Sequence, residues 1–365
     1  MNTKIPMQSH HFIHDAIGKG LVVLSAFFVT MLFLLLYFET GPAWIMSPND
    51  HGYYILYNVL NLLQGEPLGR IFYPASTNIA FGTLVVIVSN LFSSGDIVET
   101  VLADPEHYHR LYVLAQFTVL FTVLLAGGLA VLHVTHRTTF GILFVAAPLL
   151  LPGSTAGIVI AGGMPELFQL VGGIAVAGLG ALAVQSTLDE STYKKLAIGL
   201  AAATGFAIFS KFTAVALLLF PLLIIPDWRI RRVFIVGCIV FFILYALPVW
   251  DSAEQLLRTF AYRLPIFFAE GTQRSGERSI LDVFIANYLH LSSGTKLFKT
   301  GLWVVTGGAV VGWLFRRTAP ETRILFASAA TIWVGLLLIL IRLRTHYLYG
   351  YCGVLALGLD TTAYL

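Results

Sequence analysis

The sequence predicts an all-α, polytopic membrane protein with about ten membrane-crossing helices and interfacial helices in a first external loop. Three observations predict it. Of 365 residues, 57% are hydrophobic and 11% charged, and the mean hydropathy is +0.82, so the chain cannot cover a water-facing surface with polar groups. Apolar runs near the length of a bilayer crossing recur from end to end. The Lys and Arg residues between those runs gather in a few short segments. A net charge of +3 is too small to point to nucleic acid, and Cys238 and Cys352 both lie inside apolar runs, which argues against a disulfide framework. With no repeat, low-complexity tract or soluble segment, residues 1–365 read as one transmembrane domain.

The expected spans are residues 20–38, 110–133, 139–151, 166–185, 197–209, 213–226, 233–249, 300–315, 324–341 and 346–362. The first lacks a small-residue cleavage site and is too long for the core of a signal peptide, so it reads as a retained span. Orientation follows from the connecting segments. "HRTT", "DESTYKK", "PDWRIRR" and "RRTAPETR" are rich in basic residues, and alternation places all of them, with Lys4 and Lys19, on one side. The positive-inside rule makes that side cytoplasmic. Two long external loops result, 39–109 and 250–299, with a short one near Pro152–Pro165. Residues 77–92 are apolar, but a crossing there would invert the charge bias downstream, so they read as a re-entrant or membrane-surface helix. Gly173, Ala177 and Ala181 recur every four residues, a spacing that lets membrane helices approach closely.

Within the first loop, "SPNDHGYYILYNVLNLLQ" places Tyr54, Tyr57, Asn58 and Asn61 on one helical stripe, with Ile55, Val59 and Leu62 away from it. The pattern predicts a helix in the interface plane with its apolar face in lipid. Asp50 stands at its start. It is either an N-cap, which would be a poor base, or a carboxylate facing a cavity against the bundle. Glu166 heads a span from the same outer side, just after Pro165, where a first-turn acid is also favoured by the helix dipole.

The outer side carries cations that topology does not explain. They are Lys211 in "FSKFTA", and Arg342, Arg344 and His346 in "RLRTHYLYGY". Ionisable groups at spans are costly and find partners. Here either lipid headgroups reached by snorkelling or a membrane-embedded phosphate would serve. In the long second loop most charge reads as solvated, with Arg263 in "FAYRLPIFF" the exception. Glu106, His107 and His109 have metal-like spacing but no further ligand, and there is no Walker or Ser-His-Asp signature.

The acid after the first span, the aromatic helix and the "G…YP" segment together resemble the first external loop of GT-C glycosyltransferases. These are the polyprenyl-phosphate-sugar-dependent enzymes that include the protein O-mannosyltransferases. "MPELFQLVGG" resembles their second acidic motif. "FSKFTAVALLLFP" is similar to their "K-[YF]-T…P" stretch, and "RTHYLYGYCGVLAL" to a stretch near their C-terminal spans, without its prolines. The likeness runs from about residue 20 to 362. Where the family often has paired acids, this chain has Asn49-Asp50-His51, and 365 residues is short for the group, leaving room for further spans.

The resemblance implies a cell-membrane enzyme that takes a sugar from a polyprenyl-phosphate donor, inverting, on the extracytoplasmic side, to a glycan, lipid or protein acceptor. It implies Asp50 as base, Glu166 as the second carboxylate, and Lys211, Arg263, Arg342, Arg344 and His346 around the donor phosphate. His51, Tyr54, Tyr73 and Tyr347 would line the substrate cavity. No cofactor or divalent metal is expected, because the leaving group is already a phosphate ester. The rival reading is a transporter or flippase of lipid-linked intermediates, which would place its charges near the midplane in an inverted repeat.

Overall fold

The structure, a computed structural model, describes residues 8–40, 51–69, 76–92, 95–150, 165–185, 188–252, 254, 295–316, 319–340, 348 and 350–363. All regular structure among them is helical. The helices are α1 (Gln8–Thr40), α2 (His51–Gln64), α3 (Ser76–Ser89), α4 (Ile97–Ala103), α5 (Pro105–Thr135), α6 (Thr138–Val145), α7 (Pro165–Ala183), α8 (Glu190–Ser210), α9 (Leu219–Ile224), α10 (Trp228–Ala246), α11 (Lys296–Phe315), α12 (Pro320–Leu340) and α13 (Cys352–Thr362). Short 3-10 turns cover Ala147–Leu150, Phe212–Leu218 and Leu247–Ser252.

The described parts of the ten expected spans coincide with helical segments, 213–226 with a 3-10 turn followed by α9, and residues 151, 341, 346, 347 and 349 lie outside the described residues. Six segments are long and apolar enough to cross a bilayer alone: Asp15–Glu39, Pro105–Thr135, Glu166–Ala183, Trp228–Ser252, Lys296–Phe315 and Pro320–Ile339. The other four rest on shorter, broken or partly polar elements. α6 is 8 residues, about 12 Å at helical rise, continued by a 3-10 turn through Pro148. α8 has the length, but Glu190, Lys194 and Lys195 occupy its first turns.

Acids start several of these helices. Asp96 accepts from the Val98 and Glu99 amides, Asp104 from His107, Asp189 from Thr192 and Asp227 from Arg229. Each satisfies donors that a helix start leaves free. The acidic stretch of the first loop is thus capping chemistry. Within it Glu106 pairs with Arg110 at 2.5 Å and His107 packs edge-on to Tyr108. Among the described residues, no group of three His, Cys, Asp or Glu could hold a metal.

Small residues set the close crossings. A Cβ on Gly178 would lie 3.0 Å from the Gly127 Cα, and one on Gly141 2.9 Å from the Gly128 carbonyl, so α5 packs backbone to backbone on α6 and α7. Gly173 faces the Gly350 carbonyl, and Gly353 sits 2.8 Å from the Ile174 Cα by the same measure. The small-residue stripe of α7, with Ala177 and Ala181 buried, is therefore the seam against α13 and α5.

The first-loop helices differ from expectation in one respect. α2 does not put its apolar face into lipid: Ile55, Leu56, Val59 and Leu60 are buried against protein, with Val59 over Gly82 of α3. The glycine lets α3 come close enough to supply the apolar cover that lipid was expected to give. Tyr54 and Tyr57 stay exposed, as their stripe predicts, but Asn58 is buried. Asn58 accepts from the Gly69 amide at 2.7 Å and Asn61 donates to the Pro67 carbonyl, so both secure the turn that follows. That turn ends α2 in a Schellman arrangement. Gly65, at φ +70, bonds to Leu62, and Glu66 bonds to Asn61.

α3 is 14 residues, about 21 Å, too short to span about 30 Å of hydrocarbon. Its two ends both reach α5 only one turn apart. Asn78 bonds to Tyr112 and Asn90 to Tyr108, so α3 lies across the end of the bundle rather than alongside α5.

The glycine seam gives a paired test. Gly173→Ala, which drives a methyl into the Gly350 carbonyl, is expected to lower the thermal midpoint in detergent by several degrees. Gly307→Ala, with nothing within 4 Å, is expected to leave it unchanged or raise it slightly. Differential scanning fluorimetry distinguishes the two.

Candidate functional site

α7 and α8 form an antiparallel hairpin, so the start of one and the end of the other meet at the same end of the bundle. At that end the chemistry gathers. Glu166 is the second residue of α7, behind Pro165, whose missing amide costs nothing at a helix start. Lys211 stands where α8 stops. Its backbone is extended, at φ −157 and ψ 126, for a single residue before the chain coils into the 3-10 turn Phe212–Leu218. The Lys211 Nζ donates to Glu166 Oε1, with Glu166 1% and Lys211 8% exposed. The two sequence candidates thus meet directly, as a buried ion pair.

Polar groups surround the pair on three sides. On α7, one turn below Glu166, Gln169 donates to Thr213 Oγ1 at 3.2 Å. From the start of α13, the Tyr351 hydroxyl donates to the Thr213 carbonyl at 2.5 Å, while Gly350 packs on the Gln169 side chain. From the first loop, Thr77 meets Ser210, the residue before Lys211, at 2.7 Å. Beside it Asn78 and Gln116 both donate to the Tyr112 hydroxyl, at 3.1 and 2.9 Å. An aromatic layer closes the floor, with Phe81 of α3 edge-on to Phe168 of α7 at 4.9 Å and Phe168 against Phe206 of α8 at 5.1 Å. Five separate chain segments therefore converge on the α7–α8 ends.

The pair is electrostatically poised. Side by side, the two opposite charges attract strongly enough to offset part of the cost of taking each out of water. The arrangement presents one carboxylate and one ammonium, together neutral, at a break in a helix. That is where a membrane protein tolerates irregular backbone, provided the freed groups are satisfied. Here they are. The Lys211 amide donates to the Ala207 carbonyl, and the Lys211 carbonyl accepts from Ala214.

Of the other candidates, His51 begins α2 and Tyr54 lies half-exposed on its outer stripe. Asp50, Tyr73, Arg263, Arg342, Arg344, His346 and Tyr347 lie outside the described residues. Sequence reasoning missed Thr77, Asn78, Tyr112, Gln116 and Gln169. Gln116 and Gln169 sit inside apolar runs, where a fully buried amide marks a polar neighbourhood, and that signal was available.

The chain is a polytopic helical membrane protein, and its fold is shared with two solved membrane proteins. ArnT from Cupriavidus metallidurans bound to undecaprenyl phosphate superposes with a TM-score of 0.55 at 14% identity, covering 94% of this chain and 60% of that one. The apo state of the same enzyme gives 0.52. The Archaeoglobus fulgidus oligosaccharyltransferase in its apo form gives 0.54 at 13% identity, over 95% of this chain and 50% of the other. The chain thus spans about 60% of one neighbour's length and half of the other's, and at this identity the likeness is one of fold. No protein-family profile and no curated protein sequence matches the chain.

Because each member of the pair depends on the other, removing one is expected to cost more than removing both. Lys211→Met alone should destabilise by about 3–5 kcal/mol. The double variant Glu166→Gln/Lys211→Met should recover most of that. Denaturation of the four members of this cycle in detergent measures the coupling.

Proposed function

We propose that the protein is an integral-membrane glycosyltransferase that moves a sugar from a polyprenyl-phosphate donor to an acceptor hydroxyl on the extracytoplasmic face. The observation that carries this reading is the buried Glu166–Lys211 pair, set at one end of a GT-C bundle beneath a first-loop helix. Sidedness rests on charge. The basic residues at the start of α8, at the start of α10 and between α11 and α12 lie at the opposite end, which the positive-inside rule makes cytoplasmic.

In this reading Asp50, at the head of α2, takes the proton of the acceptor hydroxyl. The acceptor oxygen attacks the anomeric carbon from the face opposite the phosphate, and the carbon–oxygen bond to phosphate breaks. The electron pair leaves on the polyprenyl phosphate, and configuration inverts. Charge grows on the departing phosphate, where Lys211, Arg263, Arg342, Arg344 and His346 are assigned to receive it. In a dry site such cations act most strongly. Glu166 holds Lys211 and orients a substrate hydroxyl. The ArnT neighbour, solved with undecaprenyl phosphate, supports a lipid phosphate as the donor's anchor. Gly350 and Tyr351, just before α13, reach Gln169 and Thr213, and residues 342–346 precede them closely in sequence, which supports their assignment to the same end.

Two substitutions test the assignment. Asp50→Asn is expected to abolish transfer from a radiolabelled polyprenyl-phosphate sugar while sparing donor binding, and normal turnover would remove Asp50 as base. Arg344→Ala is expected to weaken donor affinity about tenfold or more, the scale of a lost charge-assisted contact. Unchanged affinity would reduce it to a headgroup anchor.

A further inference from the structure

Resting on that reading, we propose that Thr77 is a positioning residue, which acts through Ser210 to hold the helix break that places Lys211. The direction of the hydrogen bond can be worked out. Ser210 has one hydroxyl proton, and its Oγ sits 2.7 Å from the Phe206 carbonyl, which can only accept. In the 2.7 Å contact between Thr77 and Ser210 the donor is therefore Thr77. Both residues are fully or nearly fully buried, where the bond has no competition from water. Ser210 is the last residue of α8, and Lys211 is covalently next, its amide on the Ala207 carbonyl. The N-terminal end of α3 is thus tied to the residue that precedes the site cation.

The other end of α3 is tied down just as firmly but elsewhere. The Tyr108 hydroxyl donates to Asn90, one residue past the end of α3, at 2.9 Å, also buried, and about 20 Å along from Thr77. The two attachments are alike in strength and burial and differ in what they adjoin. Only the Thr77 attachment borders Lys211. Asn78 beside it, with Gln116, fixes the Tyr112 hydroxyl and so keeps this end of α3 in register with α5. The inference is that placement of the first-loop helix sets the geometry of the α8 break, so that the loop and the cation respond together.

The experiment compares Thr77→Val, Thr77→Ser and Tyr108→Phe in the full-length protein. It reads undecaprenyl-phosphate affinity and hydrogen–deuterium exchange over residues 207–214. Thr77→Val keeps shape and loses the donor. It is expected to weaken affinity about fivefold, one buried hydrogen bond's worth, and to speed exchange of the Lys211 and Ala214 amides. Thr77→Ser should restore both, and Tyr108→Phe should change neither. Equal effects from Thr77→Val and Tyr108→Phe, or no effect from Thr77→Val, would overturn the inference. Should the unmodified protein bind no undecaprenyl phosphate, the donor assignment fails, and exchange over 207–214 still decides the role of Thr77 by itself.

Discussion

The structure turns on a buried ion pair between the first turn of α7 and the residue that ends α8. Burying Glu166 or Lys211 at this depth costs free energy, and their mutual attraction offsets it. Together they are tolerable, which requires the two helix ends to stay level. The break at Lys211 serves that requirement. A continuous α8 would carry the side chain round the helix, whereas one extended residue holds the ammonium against the start of α7. Side chains bond to the backbone on either side of the break, one from a distant part of the chain and one from within α8. Tyr351 reaches the Thr213 carbonyl, and Ser210 turns back to Phe206. One electrostatic constraint thus recruits the start of α13 and, through Thr77, the first loop.

Close packing makes these attachments rigid. Tyr351 can reach Thr213 because Gly173 and Gly353 let α13 lie against α7 with backbone nearly touching backbone, and Gly335 leaves room for the Tyr351 ring. Side chains there would push α13 outward by ångströms, beyond the reach of a phenol oxygen. In lipid, where burial of apolar surface drives helix association little, such contact packing is what holds a bundle together. Small residues and the polar site are therefore parts of one arrangement.

Much of this was legible in the chain. The apolar runs marked the six described helices long and apolar enough to cross a bilayer, and the stripe of Gly173, Ala177 and Ala181 marked the seam. The unusual sidedness of Lys211 also marked a cation in need of a partner. That partner was readable too. About 17 residues of α7 follow Glu166 and 21 of α8 precede Lys211, and similar helical lengths in a hairpin bring the two residues to the same end. What could not be read was α2. Its amphipathic stripe fits a lipid surface and a protein surface equally, and only Gly82, in a segment 23 residues beyond Val59, decides for protein. Periodicity gives the face of a helix but not the identity of what covers it.

The neutrality of the pair also constrains how any anion could use it. For a phosphate to take the charge of Lys211, it must supply oxygens at least as well placed as those of Glu166, and the carboxylate must find new donors when it is released. An approaching sugar is rich in hydroxyl donors, and a lipid phosphate is rich in acceptor oxygens. A ligand that carries both can engage both halves of the pair at once, whereas a simple anion engages only Lys211. On the proposed function, the pair is thus suited to a ligand that brings both kinds of group to the same end of the bundle.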